Sequence, residues 1–286
     1  MTLIVSWISR DNKPEGESNI SAVYFCSDSR ISWTVGEIMT ARPYDMAKKT
    51  YACSKYPEIF CYCGDVGFPS ASLQSLVSAI DSGTLFKADS PFEIKKSEVV
   101  NYIQDSLSQY PKACMAEGFS IYYSTCIKHI FYMVELNLVN GGLVMNDLDL
   151  SPSDLKVFSA GSGRKRFEKM WENSNQDNIN EKGTSRNVYN CFTRVLDEAL
   201  NHPDDLDLMK VGGSPQLVGL YRGGCTVVYG IIKNGKRYFQ GREVEDSPNL
   251  ENIEWRNDCY ERVDPHTMEP LADAQRQPFA PREQRK

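Results

Sequence analysis

The sequence has few of the residues and motifs on which most hydrolases and nucleotide-binding enzymes depend. Its 286 residues include only three histidines, and no Gly-x-Ser-x-Gly motif occurs. A hydrolase that pairs serine or cysteine with a histidine base is therefore poorly supported. The phosphate-binding loop and the dinucleotide-binding fingerprint are also absent. The three histidines, each away from any apparent nucleophile, are His129, His202 and His266.

Long apolar runs and an excess of positive charge are missing as well. No apolar stretch reaches the roughly 18 residues of a membrane span, and the first segment is too short and lacks the basic flank of a signal peptide. The net charge of −6 argues against a nucleic-acid partner. We therefore expect a cytoplasmic protein that binds neither a membrane nor nucleic acid.

The cysteines do not form a recognisable framework. There are nine, an odd number, scattered along the chain, which favours buried thiols in a reducing cytoplasm over disulfides. Cys61 and Cys63 would share one face of a strand, but a metal site would need further ligands nearby. We expect no metal and no organic cofactor.

Apolar residues recur with strand and helix periods in alternating blocks. Between residues 70 and 82 they recur every three or four positions, which predicts a helix, and Asn140-Gly141-Gly142 predicts a turn between two strands. The expected strands are 1–9, 20–26, 48–53, 58–63, 119–127, 130–139, 143–148, 156–160, 216–221, 226–232 and 237–240. The expected helices are 70–82, 95–109, 164–172 and 185–201.

This order of elements predicts the fold class and the domain limits. Strands, two helices, strands, two helices and strands favour an α+β fold with two sheets between two pairs of helices, a four-layer αββα sandwich. We expect one domain over residues 1–246. From about Ser247 the apolar content falls while proline and charge increase, so residues 247–286 are expected to be an extended or poorly packed C-terminal tail.

The first strand carries the first candidate for catalysis, Thr2. Removal of Met1 is plausible because the Thr2 side chain is small, and it would leave a threonine with its own α-amine. That amine has a reference pKa of roughly 7.7–8.0, so it can act as a base near neutral pH, and threonine paired with its terminal amine is an established nucleophile. The alternative is that Thr2 only marks the start of a strand.

Four further motifs follow Thr2 in the chain. They are Ser27-Asp28-Ser29-Arg30, Lys48-Lys49, Gly64-Asp65 and Ser159-Ala160-Gly161-Ser162-Gly163. In order, and partly in spacing, the five pieces resemble those of proteasome β subunits and the bacterial HslV peptidase, which are N-terminal nucleophile (Ntn) hydrolases. The resemblance covers roughly residues 2–240 and implies a proteasome-subunit-like Ntn-hydrolase fold.

The resemblance also implies roles for individual residues. Thr2 would be the nucleophile, Lys49 the positive charge that keeps the Thr2 amine neutral, and Asp28 the partner that holds Lys49. The Gly64 amide would face the developing oxyanion, and Ser162 would complete the hydrogen bonds around the Thr2 amine. Substrate-binding residues would be Arg30, Ser32, Ala47, Tyr51, Tyr62 and Val66, the two tyrosines indicating a restricted or aromatic-lined pocket.

Each motif alone has a simpler interpretation. Asp28 and Arg30 could form an ordinary surface pair, Lys48-Lys49 could be a solvated strand edge, and Gly64 and Gly161 could be turn glycines. The sequence also departs from the family. The family places an aspartate shortly before a second glycine turn, whereas Asp207 lies one residue too far from Gly212-Gly213.

These observations predict a threonine peptidase that acts on peptides or unfolded proteins inside a homo-oligomeric ring, with an unfoldase or gating partner. Two alternatives remain open. The chain could be an Ntn amidase that acts on a small amide, or a non-catalytic structural subunit with the same fold. Retention of Met1 would favour the structural subunit, because a blocked amine cannot act as a base.

Overall fold

A computed structural model of the chain describes residues 2–11, 20–35, 38–111, 114–115, 118–151, 156–177, 183–206 and 208–274. Within these ranges the helices are α1 (Gly67–Asp81), α2 (Phe92–Gln109), α3 (Arg164–Asp177) and α4 (Ser185–Asn201). The strands are β1 (Leu3–Arg10), β2 (Ile20–Ser27), β3 (Thr34–Val35), β4 (Ile38–Met39), β5 (Thr50–Ala52), β6 (Glu58–Gly64), β7 (Phe119–Ile127), β8 (Ile130–Val139), β9 (Gly142–Asp147), β10 (Val157–Gly161), β11 (Gln216–Tyr221), β12 (Thr226–Val228), β13 (Gly230–Lys233), β14 (Lys236–Phe239), β15 (Arg242–Val244), β16 (Trp255–Arg256) and β17 (Arg262–Val263).

Strand β1 lies inside an antiparallel sheet, sheet I, whose strand order is β10-β1-β2-β11-β12. Successive side chains of a strand point to opposite faces. Leu3, Val5 and Trp7 pack into a cluster with residues of α3 and α4, whereas Ile4 and Ile8 pack against residues of the second sheet. Burial on both faces explains why this strand is almost continuously apolar, and it fixes the position of Thr2 at the strand's start.

The second sheet, sheet II, has the strand order β5-β6-β7-β8-β9 and is a meander. One face shares a cluster with sheet I, and the other face packs against α1 and α2. The turn between β8 and β9 contains Asn140 and Gly141, both with positive φ, as a tight hairpin requires. This sheet carries Gly64 at the end of β6, next to the start of β7.

A third five-stranded sheet, sheet III, has the order β15-β14-β13-β16-β17. The predicted four-layer αββα sandwich with two sheets is therefore wrong, because the described residues form three five-stranded sheets and a two-stranded hairpin, β3–β4. Sheet III was missed because its strands have only two to four residues, too few to show a period. The predicted strand 226–232 is in fact divided between sheets I and III.

Residues 248–274 pack against the rest of the chain. A 3-10 helix, Pro248–Asn252, precedes β16, and Trp255 is 1% exposed and lies against Gly230. This differs from the expected extended or poorly packed tail, because one tryptophan supplies the apolar surface that the composition lacks. Residues 275–286 lie outside the described residues, and the domain limit at residue 246 stays a prediction.

Two further expectations concern the cysteines and the membrane. All nine cysteines are free, but Cys114, Cys225 and Cys259 are exposed rather than buried. Among the described residues, none of the helices is long and apolar enough to cross a membrane.

Candidate active site

Three of the predicted residues meet in a buried cluster at the start of β1. The Lys49 Nζ donates a hydrogen bond to Thr2 Oγ1 at 2.5 Å and another to Asp28 Oδ1 at 2.9 Å. All three residues are 0% exposed. Lys49 and Asp28 thus form a fully buried ion pair, and the Thr2 hydroxyl lies within hydrogen-bonding distance of its cation.

The backbone around β1 and β2 fixes the carboxylate of Asp28. Its Oδ1 accepts from Leu3 N at 3.1 Å, and its Oδ2 accepts from Arg30 N at 3.2 Å and from Gly212 N at 3.1 Å. A buried carboxylate costs several kcal/mol unless charge and hydrogen bonds compensate it. Three amides and one ammonium compensate it here, so Asp28 is held in a single orientation beside Thr2.

Lys49 has an acceptor for each of its three ammonium protons. Besides Thr2 and Asp28, the Arg30 carbonyl accepts from Nζ at 2.5 Å. Burial lowers the pKa of Lys49, and the negative charge of Asp28 opposes this effect without cancelling it. A lysine whose pKa is lowered can exchange a proton more readily near neutral pH than one on the surface.

The turn after β10 brings Ser162 to the other side of Thr2. The Thr2 nitrogen donates to Ser162 Oγ at 3.2 Å. This approach depends on Gly161, which has a φ of +90° and whose Cβ, were it present, would lie 2.0 Å from the Thr2 carbonyl oxygen. Gly161 is therefore required sterically for Ser162 to contact the Thr2 nitrogen.

Gly64 lies at the end of β6, where it pairs with Phe119. It lines a cavity of about 390 Å³ that Ser162 also lines. The structure therefore brings Gly64 and Ser162 to the same opening beside Thr2. The oxyanion role of Gly64 stays a prediction.

The predicted substrate-binding residues are mostly buried. Tyr51 and Tyr62 belong to the cluster between sheet II and helices α1 and α2, and each directs its hydroxyl at the Lys48 carbonyl, at 3.4 and 3.3 Å. Val66 packs beside this cluster, and Ala47 is 7% exposed.

Arg30 and Ser32 have other surroundings. The Arg30 side chain forms a bidentate pair with Asp45 and faces a separate cavity of about 310 Å³. Only its backbone carbonyl reaches Lys49. Ser32 is buried, and its hydroxyl makes no hydrogen bond within the described residues. Substrate binding by these residues stays a prediction.

The sequence analysis missed Gln216, the first residue of β11. Its Oε1 accepts from Lys49 N at 3.0 Å, and its Nε2 donates to the carbonyls of Ala47 and Asp28 at 2.6 and 3.3 Å. It ties the Lys49 segment to sheet I. The only signal in the sequence was a polar residue at the start of an otherwise apolar strand.

Gly212 was considered only as part of a turn, yet its amide binds Asp28. Met1 and Asp207, on which two predictions depend, lie outside the described residues. In the part of the chain that the structure describes, no group of three or more histidine, cysteine or acidic side chains could hold a metal ion.

Comparison with known proteins gives a fold but no family. No protein-family model and no curated protein matches the sequence. The solved structure of an Anbu (Gly-1) mutant from Hyphomicrobium sp. strain MC1 is similar, with a TM-score of 0.50 and 12% identity over 88% of this chain and 91% of that chain. Anbu (ancestral beta-subunit) from Yersinia bercovieri has a TM-score of 0.46 and 14% identity over the same shares.

The first of these likenesses shows the fold alone. The chain has an Anbu-like fold, which is related to that of proteasome-like Ntn hydrolases. The resemblance to a proteasome β subunit or HslV is wrong at the level of the family, because the structural neighbour is Anbu, a distinct family whose fold is close to that class. Short motifs shared across related folds could not separate the families.

Proposed function

We propose that this chain is an N-terminal threonine peptidase that forms an acyl-enzyme on Thr2 after loss of Met1. The observation that carries the proposal is the buried contact of Lys49 Nζ with Thr2 Oγ1 at 2.5 Å and with Asp28 Oδ1 at 2.9 Å. A buried ion pair contributes little net stability by itself. A charge held against a hydroxyl at the start of the chain is better explained by catalysis.

In the proposed reaction, Thr2 Oγ1 attacks the peptide carbonyl while the Thr2 amine accepts the hydroxyl proton. The oxyanion that forms is stabilised by the Gly64 amide. The C–N bond then breaks, the leaving nitrogen takes the proton from the Thr2 amine, and an ester remains on Thr2. Water hydrolyses this ester by the same proton transfers in reverse order.

Lys49 and Asp28 support this chemistry electrostatically. The ammonium of Lys49 donates to Oγ1 and so stabilises negative charge that develops on that oxygen. Asp28 holds the ammonium in place, and Ser162 positions the Thr2 nitrogen. No metal or organic cofactor takes part in the proposed reaction.

We propose a peptide or an unfolded protein as the substrate and a homo-oligomeric ring as the functional assembly, with an unfoldase or gating partner. Nine free thiols are consistent with a reducing compartment and hence with the cytoplasm. A small-amide substrate and a non-catalytic role are the outcomes that the experiments below separate from this one.

The decisive experiment compares Thr2→Ala, Thr2→Ser and Lys49→Ala with the wild type on fluorogenic peptide amides. We expect Thr2→Ala to lose at least about 10³-fold in rate, Lys49→Ala about 10²-fold or more, and Thr2→Ser to retain measurable activity. Lys48→Ala is the matched control, because Lys48 is exposed and its ammonium lies over the Tyr51 ring instead of contacting Thr2.

Intact mass and native mass accompany these rates. Loss of one methionine and an unchanged assembly in Thr2→Ala support the peptidase. Wild-type hydrolysis in Thr2→Ala would remove the nucleophile, and retained Met1 without hydrolysis would support a structural subunit. Hydrolysis of small amides alone would support an amidase.

A further inference from the structure

The cavity of about 390 Å³ beside Thr2 has a polar floor that the proposed reaction does not yet use. Cys63, Ser120 and Asn137 lie in register on β6, β7 and β8, and all three line the cavity. Directly opposed residues of neighbouring strands project to the same face. Cys63 packs in the cluster between sheets I and II, so Ser120 and Asn137 also lie on the face towards β1.

The position of the cavity matches that of a leaving group. The cavity contacts Ser162, which binds the Thr2 nitrogen, and Gly64 on its other side. The leaving nitrogen must lie within hydrogen-bonding distance of the Thr2 amine to take its proton. The residue that follows the cleaved bond therefore enters this cavity, whereas Ala47, Tyr51 and Tyr62 do not line it.

The hydrogen bonding of the floor defines what it can recognise. Ser120 Oγ donates to Asn137 Oδ1, which leaves the two Nδ2 protons of Asn137 to donate into the cavity. Within the described residues, Nδ2 has no partner. The side chain is half-buried, so a ligand acceptor would replace water there.

The nearby charge selects among acceptors. Glu135 lies two residues before Asn137 on the same strand face, where its carboxylate accepts from Tyr122. A second carboxylate brought to Asn137 would be repelled by Glu135 in a site poor in water. The floor therefore suits a neutral oxygen acceptor, the carboxamide of asparagine or glutamine.

We propose that Asn137 determines specificity at the leaving-group side of the site, favouring peptides in which a carboxamide residue follows the cleaved bond. This inference rests on the proposed function. The volume suffices for one or two residues and lies at the small end of ligand sites. Asn137 binds the substrate and takes no part in proton transfer.

The test uses internally quenched peptides that differ only in the residue after the cleaved bond, with asparagine, leucine or aspartate there. We expect the wild type to cleave the asparagine peptide about 3–10-fold faster in kcat/KM than the leucine peptide, the value of one neutral hydrogen bond. The aspartate peptide should be the slowest. In Asn137→Leu the asparagine-to-leucine ratio should fall to about one, with the leucine peptide unchanged within about twofold.

Two controls separate this inference from the proposed function. A peptide coumarin amide has no residue after the cleaved bond, so Asn137→Leu should hydrolyse it at the wild-type rate. Asn146→Leu is the matched control, because Asn146 is an exposed asparagine on β9 outside the cavity. Should Asn137→Leu fail to fold, Ser120→Ala should reduce the ratio by releasing the Asn137 amide.

Equal wild-type rates for the three peptides, a preference for aspartate, or an unchanged ratio in Asn137→Leu would overturn the inference while the peptidase stands. Absence of hydrolysis of every substrate, the coumarin amide included, would overturn the proposed function and this inference with it.

Discussion

The Asp28 carboxylate is the residue on which the geometry of the site depends. It accepts hydrogen bonds from three amides and from Lys49, and these amides belong to β1, to the loop after β2 and to the loop before β11. The site is thus assembled from segments that are distant in sequence. Its integrity is a property of one buried charge and its partners.

We expect Asp28→Asn to destabilise the protein by about 3–5 kcal/mol, because it leaves the Lys49 ammonium buried without a counter-charge. Peptide hydrolysis should fall together with stability. Urea unfolding and initial rates measure the two effects. Asp45→Asn is the control, since Asp45 is partly exposed and pairs with Arg30 near the surface, and it should cost about 1 kcal/mol or less. Equal effects of the two substitutions would contradict the assignment.

Cys63 offers a second test at the scale of a single residue. It borders the cavity beside Thr2, and burial raises the pKa of its thiol to about 11 despite the nearby positive charge of Lys49. At pH 8 fewer than about one thiol in a hundred would be ionised. We expect iodoacetamide to modify exposed Cys114 and Cys225 in the native protein and to spare Cys63, as read by peptide mass spectrometry. Modification of Cys63 at the rate of Cys225 would show that the site is open.

The sequence analysis succeeded for residues whose chemistry is local. Thr2, Asp28, Lys49 and Ser162 were predicted from short motifs, and the structure brings them together. Gln216 and Gly212 were not, because their contacts with the Lys49 segment and with Asp28 exist only after the sheets pair. Tyr51 and Tyr62 were expected to line a pocket, and only the structure reveals that their rings belong to a core cluster.

At the scale of elements, a second buried ion pair joins α2 to sheet II. Lys95 Nζ contacts Glu58 Oε1 at 2.7 Å, and both side chains are 0% exposed. Glu58 also accepts from Tyr123 and Thr125. Because Lys95 takes no part in the proposed site, this pair tests how a buried charge behaves without catalysis.

Lys95→Met should destabilise the protein by about 3–5 kcal/mol, since Glu58 keeps its burial and loses its counter-charge. The double variant with Glu58→Gln should recover most of this loss. Lys96→Met is the matched control, because Lys96 pairs with exposed Glu93 and Asp147 and should cost about 1 kcal/mol or less. Urea unfolding of the four proteins forms a double-mutant cycle with one control. A double variant no more stable than Lys95→Met would contradict the pairing.

The pH dependence of Lys95→Met follows from the same contact. Burial raises the pKa of Glu58, and Lys95 opposes this effect, so removing Lys95 raises that pKa further. A carboxyl with a raised pKa in the folded state is most favourable below its unfolded pKa, and the stability is lost as pH rises through the folded pKa. The free energy of unfolding of Lys95→Met should therefore fall, relative to the wild type, between about pH 4.5 and neutral pH. A difference that stays constant over this range would contradict the shift.

The elements themselves were predictable where the pattern was long. Strands β7 and β8 and helix α4 begin and end at the predicted residues, because nine or more residues of clear periodicity precede a turn or a cap. The pairs β3–β4 and β16–β17 were missed, since strands of two residues are defined by their partners rather than by their own sequence.

At the scale of the whole molecule, the C-terminal segment decides whether the chain is one cooperative unit. Trp255 lies beneath sheet III, where a Cβ on Gly230 would be 2.3 Å from its ring. Tyr260 packs against Trp7 and Tyr189 in the cluster beside sheet I, with ring centroids 6.2 and 5.3 Å apart. The segment thus connects the small third sheet to the cluster that supports β1.

Trp255→Ala should cost about 3–5 kcal/mol, the usual loss for a fully buried aromatic residue, and Gly230→Ala should destabilise the same contact by overpacking. Both variants should still unfold in a single transition in urea, monitored by circular dichroism and by tyrosine fluorescence. Trp33→Ala is the matched control, because Trp33 is 47% exposed and should change stability by less than about 1 kcal/mol. Two separate transitions, or an unchanged midpoint in Trp255→Ala, would mean that residues after 246 fold independently of the sheets that hold Thr2.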